Sequence, residues 1–166
     1  EKVRKISGLM VHKIIVSWGE IYNGDLVNLV VNANRRKSIA ANHSATHLMH
    51  QALKDVVGAQ VNQRGSLNDS ERLRFDFSSN KAISTNDIQK VEQIVNKHIL
   101  ENTIVDTRVM DLEEAKKIGA QALFGEKYEN EVRVVLMGFN SVWDAKSSPL
   151  RERFSMELCG GTHVHR

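Results

Sequence analysis

The chain has 166 residues, enough for one domain with a small appendage. Its 41% hydrophobic and 26% charged residues and its mean hydropathy of −0.35 describe an ordinary globule, and no apolar run approaches the roughly 18 residues that span a bilayer. A single cysteine excludes an internal disulfide and makes an intracellular, cytoplasmic location the expectation, and a net charge of +3 without a basic tract leans only weakly toward a polyanionic partner.

Residues 9–16 and 26–31 are apolar and β-branched, and Trp18-Gly19 and Asn23-Gly24-Asp25 supply turn chemistry between them. Two antiparallel strands are predicted there, too few for an independent sheet. They read as the C-terminal part of a small β-subdomain covering residues 1–33. From residue 34 to 57 the spacing becomes helical, with Ile39, Leu48, Met49, Ala52, Leu53, Val56 and Val57 on one stripe and Gly58 as the stop. Arg72-Leu-Arg-Phe-Asp-Phe77 alternates strictly, the pattern of a half-buried antiparallel strand.

Ser84 with Asp87 three residues on resembles a capping pair, and Ile88, Val91, Ile94, Val95 and Ile99 mark an amphipathic helix behind it. Residues 104–109 read as a strand, 112–120 as a short helix and 131–137 as a strongly buried strand. Residues 141–153, with the only proline (Pro149), read as a surface loop, and 154–158 as a short strand delivering Cys159. Helices and strands mix without βαβ alternation, which predicts an α+β fold, an antiparallel sheet flanked by helices, over residues 34–166. The chain starts at Glu1 without an initiator methionine and stops one residue past its most unusual segment, so it is expected to be a piece of a longer, multidomain chain.

That segment, Cys159-Gly-Gly-Thr-His-Val-His165, carries much of the chemistry. A Cys-x3-His on a turn with Gly160 and Gly161 brings a thiolate and an imidazole together, because the glycines permit a tight backbone. On the long helix, His43 and His47 lie one turn apart on one face; His50, seven residues from His43, shares that face, so spacing alone does not choose the pair. Cys159 and His163 with two helical histidines give one sulfur and three nitrogens, a donor set suited to Zn2+. His12 and His98 read as structural, and His165 as either.

Asn42-His-Ser-Ala-Thr-His47 resembles the Asn-His-x-x-x-His signature of alanyl-tRNA synthetase editing domains and their free-standing trans-editing relatives, and Cys159-Gly-Gly-Thr-His-Val164 resembles their second zinc half-site. Between them Val61-Asn-Gln-Arg-Gly-Ser-Leu67, Arg72-Leu-Arg-Phe-Asp-Phe77, Met110-Asp-Leu-Glu-Glu-Ala115 and Ala122-Leu-Phe-Gly-Glu-Lys127 match stretches characteristic of the synthetase. Threonyl-tRNA synthetase editing domains share the two half-motifs more distantly, but not the Cys-Gly-Gly-Thr-His wording.

The resemblance covers residue 34 to the end. It implies that His43, His47, Cys159 and His163 hold zinc and that His50 does not. It also implies an editing site at Gln63, with Thr46 and Ser66 lining the pocket. By themselves these three read as a solvated amide, a helix-packing residue and a turn residue beside Gly65; only the resemblance gives them a role. One departure is Gln60, where many members carry histidine. The implied function is hydrolysis of tRNA(Ala) mischarged with serine or glycine, acting on the tRNA 3′ end within a synthetase whose other domains supply further contacts. A tRNA-binding module in which zinc is a structural clip, and a free-standing trans-editing deacylase, are the alternatives.

Overall fold

The computed structural model describes residues 2–122, 127–139 and 153–166, which fall into two units, Glu1–Val31 and Asn32–Arg166. In the first unit, β1 (Lys2–Ile6) and β2 (Leu9–Lys13) form an antiparallel hairpin with Ile6 opposite Leu9 and Lys2 opposite Lys13. Its two turn residues, Ser7 and Gly8, have φ of 47° and 85°. Positive φ at both positions marks the mirror-image turn whose twist suits a two-residue hairpin.

This corrects the expected pairing of residues 9–16 with 26–31. The strand ends at Lys13, and 26–31 has neither strand nor helix. The turn expected near Asn23 does form, with Asp25 N donating to Tyr22 O at 3.2 Å, but it does not join two strands. The nearer partner takes β2 because a two-residue loop closes at far lower entropic cost than a dozen-residue one.

In the second unit, α1 (Ala33–Val57) starts on Asn32, whose side chain accepts from Arg35 N at 2.9 Å, and ends where Gly58 (φ 127°) returns its N–H to Lys54 O. α2 (Thr85–Glu101) starts on the predicted cap, Ser84 accepting from Asp87 N at 3.1 Å, and stops at Asn102 in the left-handed region (φ 48°). α3 (Leu112–Lys117) starts on Asp111, which accepts from the N–H groups of Glu113 and Glu114. Among the described residues no helix is long and apolar enough to cross a membrane.

β3 (Asn62–Asn68) and β4 (Leu73–Ser78) form a second antiparallel hairpin, bulged between Gln63 and Gly65. β5 (Ile104–Asp111), β6 (Glu131–Phe139) and β7 (Ser155–Leu158) make an antiparallel sheet in the order β5-β6-β7. The fold is α+β, as the sequence predicts. β3 has no counterpart among the expected elements. The predicted loop over residues 141–153 falls, Arg153 aside, outside the described residues.

β6 is covered on both faces, which explains its near-continuous apolar run. Val132, Val134 and Leu136 pack with Ala115 of α3 and with Met156 and Leu158 of β7. Val135 and Met137 point the other way and meet Leu48 of α1. A third cluster joins α1, α2 and the β3–β4 hairpin through Ala52, Leu53, Val61, Val91, Phe75 and Phe77. One consequence decides the site. On β7 the Met156 and Leu158 side chains share the α3 face, so Ser155 and Glu157 take the face that α1 covers.

Candidate metal centre

The middle of α1 is buried, and it buries polar side chains: Ser44, Thr46, His47 and His50 lie there beside Ala40, Leu48, Ala52 and Leu53. The rings of His43 and His47 stack one turn apart, centroids 5.1 Å apart and planes 22° from parallel. The sheet brings the other half. Cys159 follows β7 directly, and its N–H donates to Arg133 O at 2.9 Å, extending the pairing with β6. The Arg133 guanidinium then donates to Cys159 O at 3.1 Å and to Gly161 O, gripping the turn through its carbonyls. Val164 N donates to Ser44 Oγ at 3.1 Å, which ties the far side of the turn to α1.

So held, the His163 ring lies 4.3 Å from that of His43 and 4.9 Å from that of His47, centroid to centroid. Cys159 Sγ is 3.4 Å from His43 Nε2. The ligand atoms of His43, His47, Cys159 and His163 all lie within 4.8 Å of one another. With bonds of about 2.0–2.3 Å, a tetrahedral zinc sets its donors about 3.3–3.8 Å apart. The Cys159–His43 separation has that value already, and a pair at the 4.8 Å limit would contract by about 1–1.5 Å.

The donor chemistry also fits a cation. His47 Nε2 and both ring nitrogens of His163 are buried without a hydrogen-bond partner among the described residues. Such atoms are costly unless something satisfies them, and a metal ion would. Burial opposes a thiolate at Cys159, but the polar imidazoles of His163, His43 and His47 around it and the His47 charge outweigh burial and hold the thiol down at about 3. Burial likewise opposes an imidazolium at His47, yet the neighbouring Cys159 sulfur, the hydrogen bond to Glu157 and the negative charges of both hold it up at about 9. His163 is held below the ordinary imidazole value, mainly by burial. A proton thus sits between two anions, and a divalent metal would replace it.

Glu157 is the residue that the sequence reading missed. It is 2% exposed, and its Oε2 lies 2.8 Å from His47 Nδ1 while Oε1 lies 3.0 Å from His50 Nδ1. Burial pushes this carboxyl up, but hydrogen bonds from His47 and His50 and their charges pull it further down, to about 2. His50, 4% exposed, therefore faces the carboxylate and lies outside the four-residue cluster.

Gly161 is required by contact. A Cβ there would fall 2.2 Å from His43 Cε1 and 2.6 Å from its Nδ1, whereas one on Gly160 meets nothing within 4 Å. Gly161→Ala is therefore expected to displace the His43 ring and weaken zinc binding roughly 10- to 100-fold, the range seen when a ligand's surroundings are disturbed. Gly160→Ala should leave it unchanged. Competition with a chromophoric chelator measures both, and equal affinities would show that the ring yields freely.

Of the expected pocket residues, Gln63 and Ser66 meet on β3, Gln63 Nε2 donating to Ser66 Oγ at 3.3 Å beside the bulge. Thr46 is 4% exposed, and its Oγ1 lies 2.9 Å from Asn42 O and 2.7 Å from Asn68 Oδ1 at the end of β3. Both neighbours are acceptors, so its one hydroxyl proton serves one of them at a time. Asn42 Nδ2 donates to Asp69 O, a second tie from α1 to that end of the hairpin. Gln60 Nε2 donates to Val57 O at the C-terminus of α1. His98 stacks on Phe154, and the His165 carbonyl accepts from Val105 N.

No protein-family model matches the chain. It is 50% identical over 161 residues to the alanine–tRNA ligase of Dinoroseobacter shibae, covering 97% of this chain and 18% of that protein. To the alanine–tRNA ligase of Cereibacter sphaeroides it is 51% identical over 164 residues, and to that of Paracoccus denitrificans 48% over 163 residues. Nearly all of the chain thus has a homologous counterpart in these ligases, and it spans 18% of their length.

Proposed function

We propose that this chain, homologous along almost its whole length to a segment of alanine–tRNA ligases, is the editing module of such an enzyme. In this reading residues 34–166 are a zinc-dependent ester hydrolase that removes serine or glycine from mischarged tRNA(Ala) in the cytoplasm. Residues 1–33 are the end of a small β-subdomain of the parent chain. The observation that carries the reading is the convergence of His43, His47, Cys159 and His163 within 4.8 Å in a chain half identical to these ligases.

Those four residues would hold zinc, which when bound supplies a Lewis acid able to polarise an ester carbonyl or lower the pKa of water. The chain's own groups do the reading. Alanine and serine differ by one hydroxyl, which an apolar pocket separates only about 100-fold, whereas a site built to hydrogen-bond that hydroxyl separates them by about 10⁴ or more. Gln63 and Ser66, adjacent on β3, and Thr46 on α1 are the polar groups proposed for this. Serine would satisfy them; correctly charged alanine would leave without a partner whichever of them the bound substrate covers.

A second reading has an observation of its own. Four protein donors make up a closed sphere, the arrangement of structural zinc sites, and that favours a clip between α1 and the segment after β7 in a non-catalytic tRNA-binding module. Deacylation of serine-charged against alanine-charged tRNA(Ala) separates the two. The net charge of +3 without a basic tract predicts weak, salt-sensitive tRNA binding by this chain alone, so the assay is run at high protein and low salt. Selective hydrolysis of the serine ester is expected. A zinc-loaded, folded chain that leaves it intact would favour the clip.

A further inference from the structure

We propose that Glu157 and His50 form a buried positioning pair that fixes the metal-binding nitrogen of His47. A carboxylate accepts hydrogen bonds and has no proton to give. With Oε2 on His47 Nδ1 at 2.8 Å and Oε1 on His50 Nδ1 at 3.0 Å, both imidazoles donate from Nδ1. With its Nδ1–H committed to Glu157, His47 turns to the cluster its Nε2, which has no hydrogen-bond partner among the described residues and is the nitrogen left to a metal once its proton is displaced. A neutral imidazole without this acceptor is free to carry its proton on Nε2, where it blocks coordination. The carboxylate also fixes the ring's rotation, as outer-shell carboxylates do for metal-bound histidines.

His50 completes the device. Glu157 is 2% exposed and His50 4%, so water does not replace a lost partner cheaply. The Nδ1–H of His50 occupies the second oxygen and keeps the carboxylate from rotating away. This gives the third helical histidine a role although its spacing mimics a ligand's: His43 and His47 face the cluster, while His50 holds the acid that orients His47. It also explains an acid on the covered face of β7, where an apolar residue would otherwise pack.

The inference rests on the metal reading of the cluster and not on the hydrolytic one. The test is the dissociation constant for Zn2+ by chelator competition, with the visible absorption of the Co2+-loaded protein as a second readout. Wild type must bind one ion per chain; if it binds none, the metal reading fails first. Glu157→Gln puts one neutral acceptor and one donor where two charged oxygens stood, so His47 either loses its acceptor or keeps only a weaker, uncharged one. Affinity is expected to fall roughly 10- to 100-fold, with an altered Co2+ spectrum. His50→Gln restores an N–H to Glu157 and is expected to stay within about threefold of wild type, whereas His50→Leu strands the carboxylate and resembles Glu157→Gln. If Glu157→Gln does not fold, the His50 pair decides alone. Folded Glu157→Gln or His50→Leu with wild-type affinity and spectrum would overturn the proposal, as would complete metal loss in His50→Gln, which would make His50 a ligand.

Discussion

Cys159→Ala is expected to abolish stoichiometric zinc binding. Cys159 is the sole sulfur donor, its thiol is held down at about 3 among three imidazoles, and its Sγ sits 3.4 Å from His43 Nε2. Alanine removes the negative charge that complements the ion and leaves three neutral nitrogens on two separate segments. Metal analysis of the purified variant should give well under one ion per chain. His43→Ala and His163→Ala should do the same, while His50→Gln should not. Full occupancy in Cys159→Ala would sink the assignment. The metal-free protein is nevertheless expected to remain folded. Zinc-finger peptides take on the order of 10 kcal/mol of folding energy from their ion because they have no core of their own. Here the two faces of β6 and the α1–α2–hairpin cluster are buried without any metal. Chelation should lower the melting temperature and leave far-ultraviolet circular dichroism near its starting value at 25 °C, with loss of order confined to the segment after Leu158.

Gln63→Met is expected to slow hydrolysis of serine-charged tRNA(Ala) without changing zinc content. Gln63 lies on β3 outside the ligand cluster, so the metal is untouched. Methionine keeps the length but cannot donate to Ser66 Oγ as the amide does, nor to a substrate hydroxyl. Loss of one neutral hydrogen bond accounts for about 1 kcal/mol, or nearly tenfold. If the amide also meets charge that develops in the transition state, the loss reaches about 100-fold or more. Single-turnover rates on serine- and alanine-charged tRNA, with metal content measured in parallel, separate these outcomes; an unchanged serine rate would remove Gln63 from the reaction. Thr46 demands a different design. A bulky side chain there would serve as a pocket block only if the residue were open to solvent. Instead it is 4% exposed and bonded toward Asn68, so enlargement overpacks the α1–β3 contact at a cost of about 1–3 kcal/mol. Thr46→Val, which deletes the hydroxyl and keeps the shape, is the cleaner variant.

The elements that were legible in the sequence are those with a one-sided environment. α2 carries an apolar stripe behind a Ser84 cap, and β4 alternates because Phe75 and Phe77 face the core while Arg74 and Asp76 face out. β6 was legible for the opposite reason, being apolar on both sides. β3 gave no signal: Asn-Gln-Arg-Gly-Ser-Leu-Asn has a single large apolar residue, Leu67, buries neither face fully, and is a strand only because β4 supplies its hydrogen bonds. Residues 26–31 failed in the other direction, since β-branched composition describes what a strand tolerates and cannot provide a partner. Glu157 was hidden by the same logic. In Ser-Met-Glu-Leu the alternation assigns Met156 and Leu158 inward and Glu157 to solvent, and nothing local reveals that α1 covers that second face. Its partner His47 lies 110 residues away in the chain.

The antiparallel meeting of β6 and β7 has a consequence for how such proteins are recognised by pattern. Met137 stands opposite Ser155, and Phe154 N donates to Met137 O, so the end of β6 and the start of β7 lie side by side. The register that delivers Cys159 is held by the pairing with β6 and by the grip of Arg133. Doubling the length of such a connection adds only about 0.6 kcal/mol of closure entropy. A longer interval between the His43–His47 half of the centre and the Cys159–His163 half would therefore cost little closure entropy. A search template that fixes the two short spacings and leaves the gap open follows the geometry; one that fixes the gap would discard genuine members for carrying an insertion.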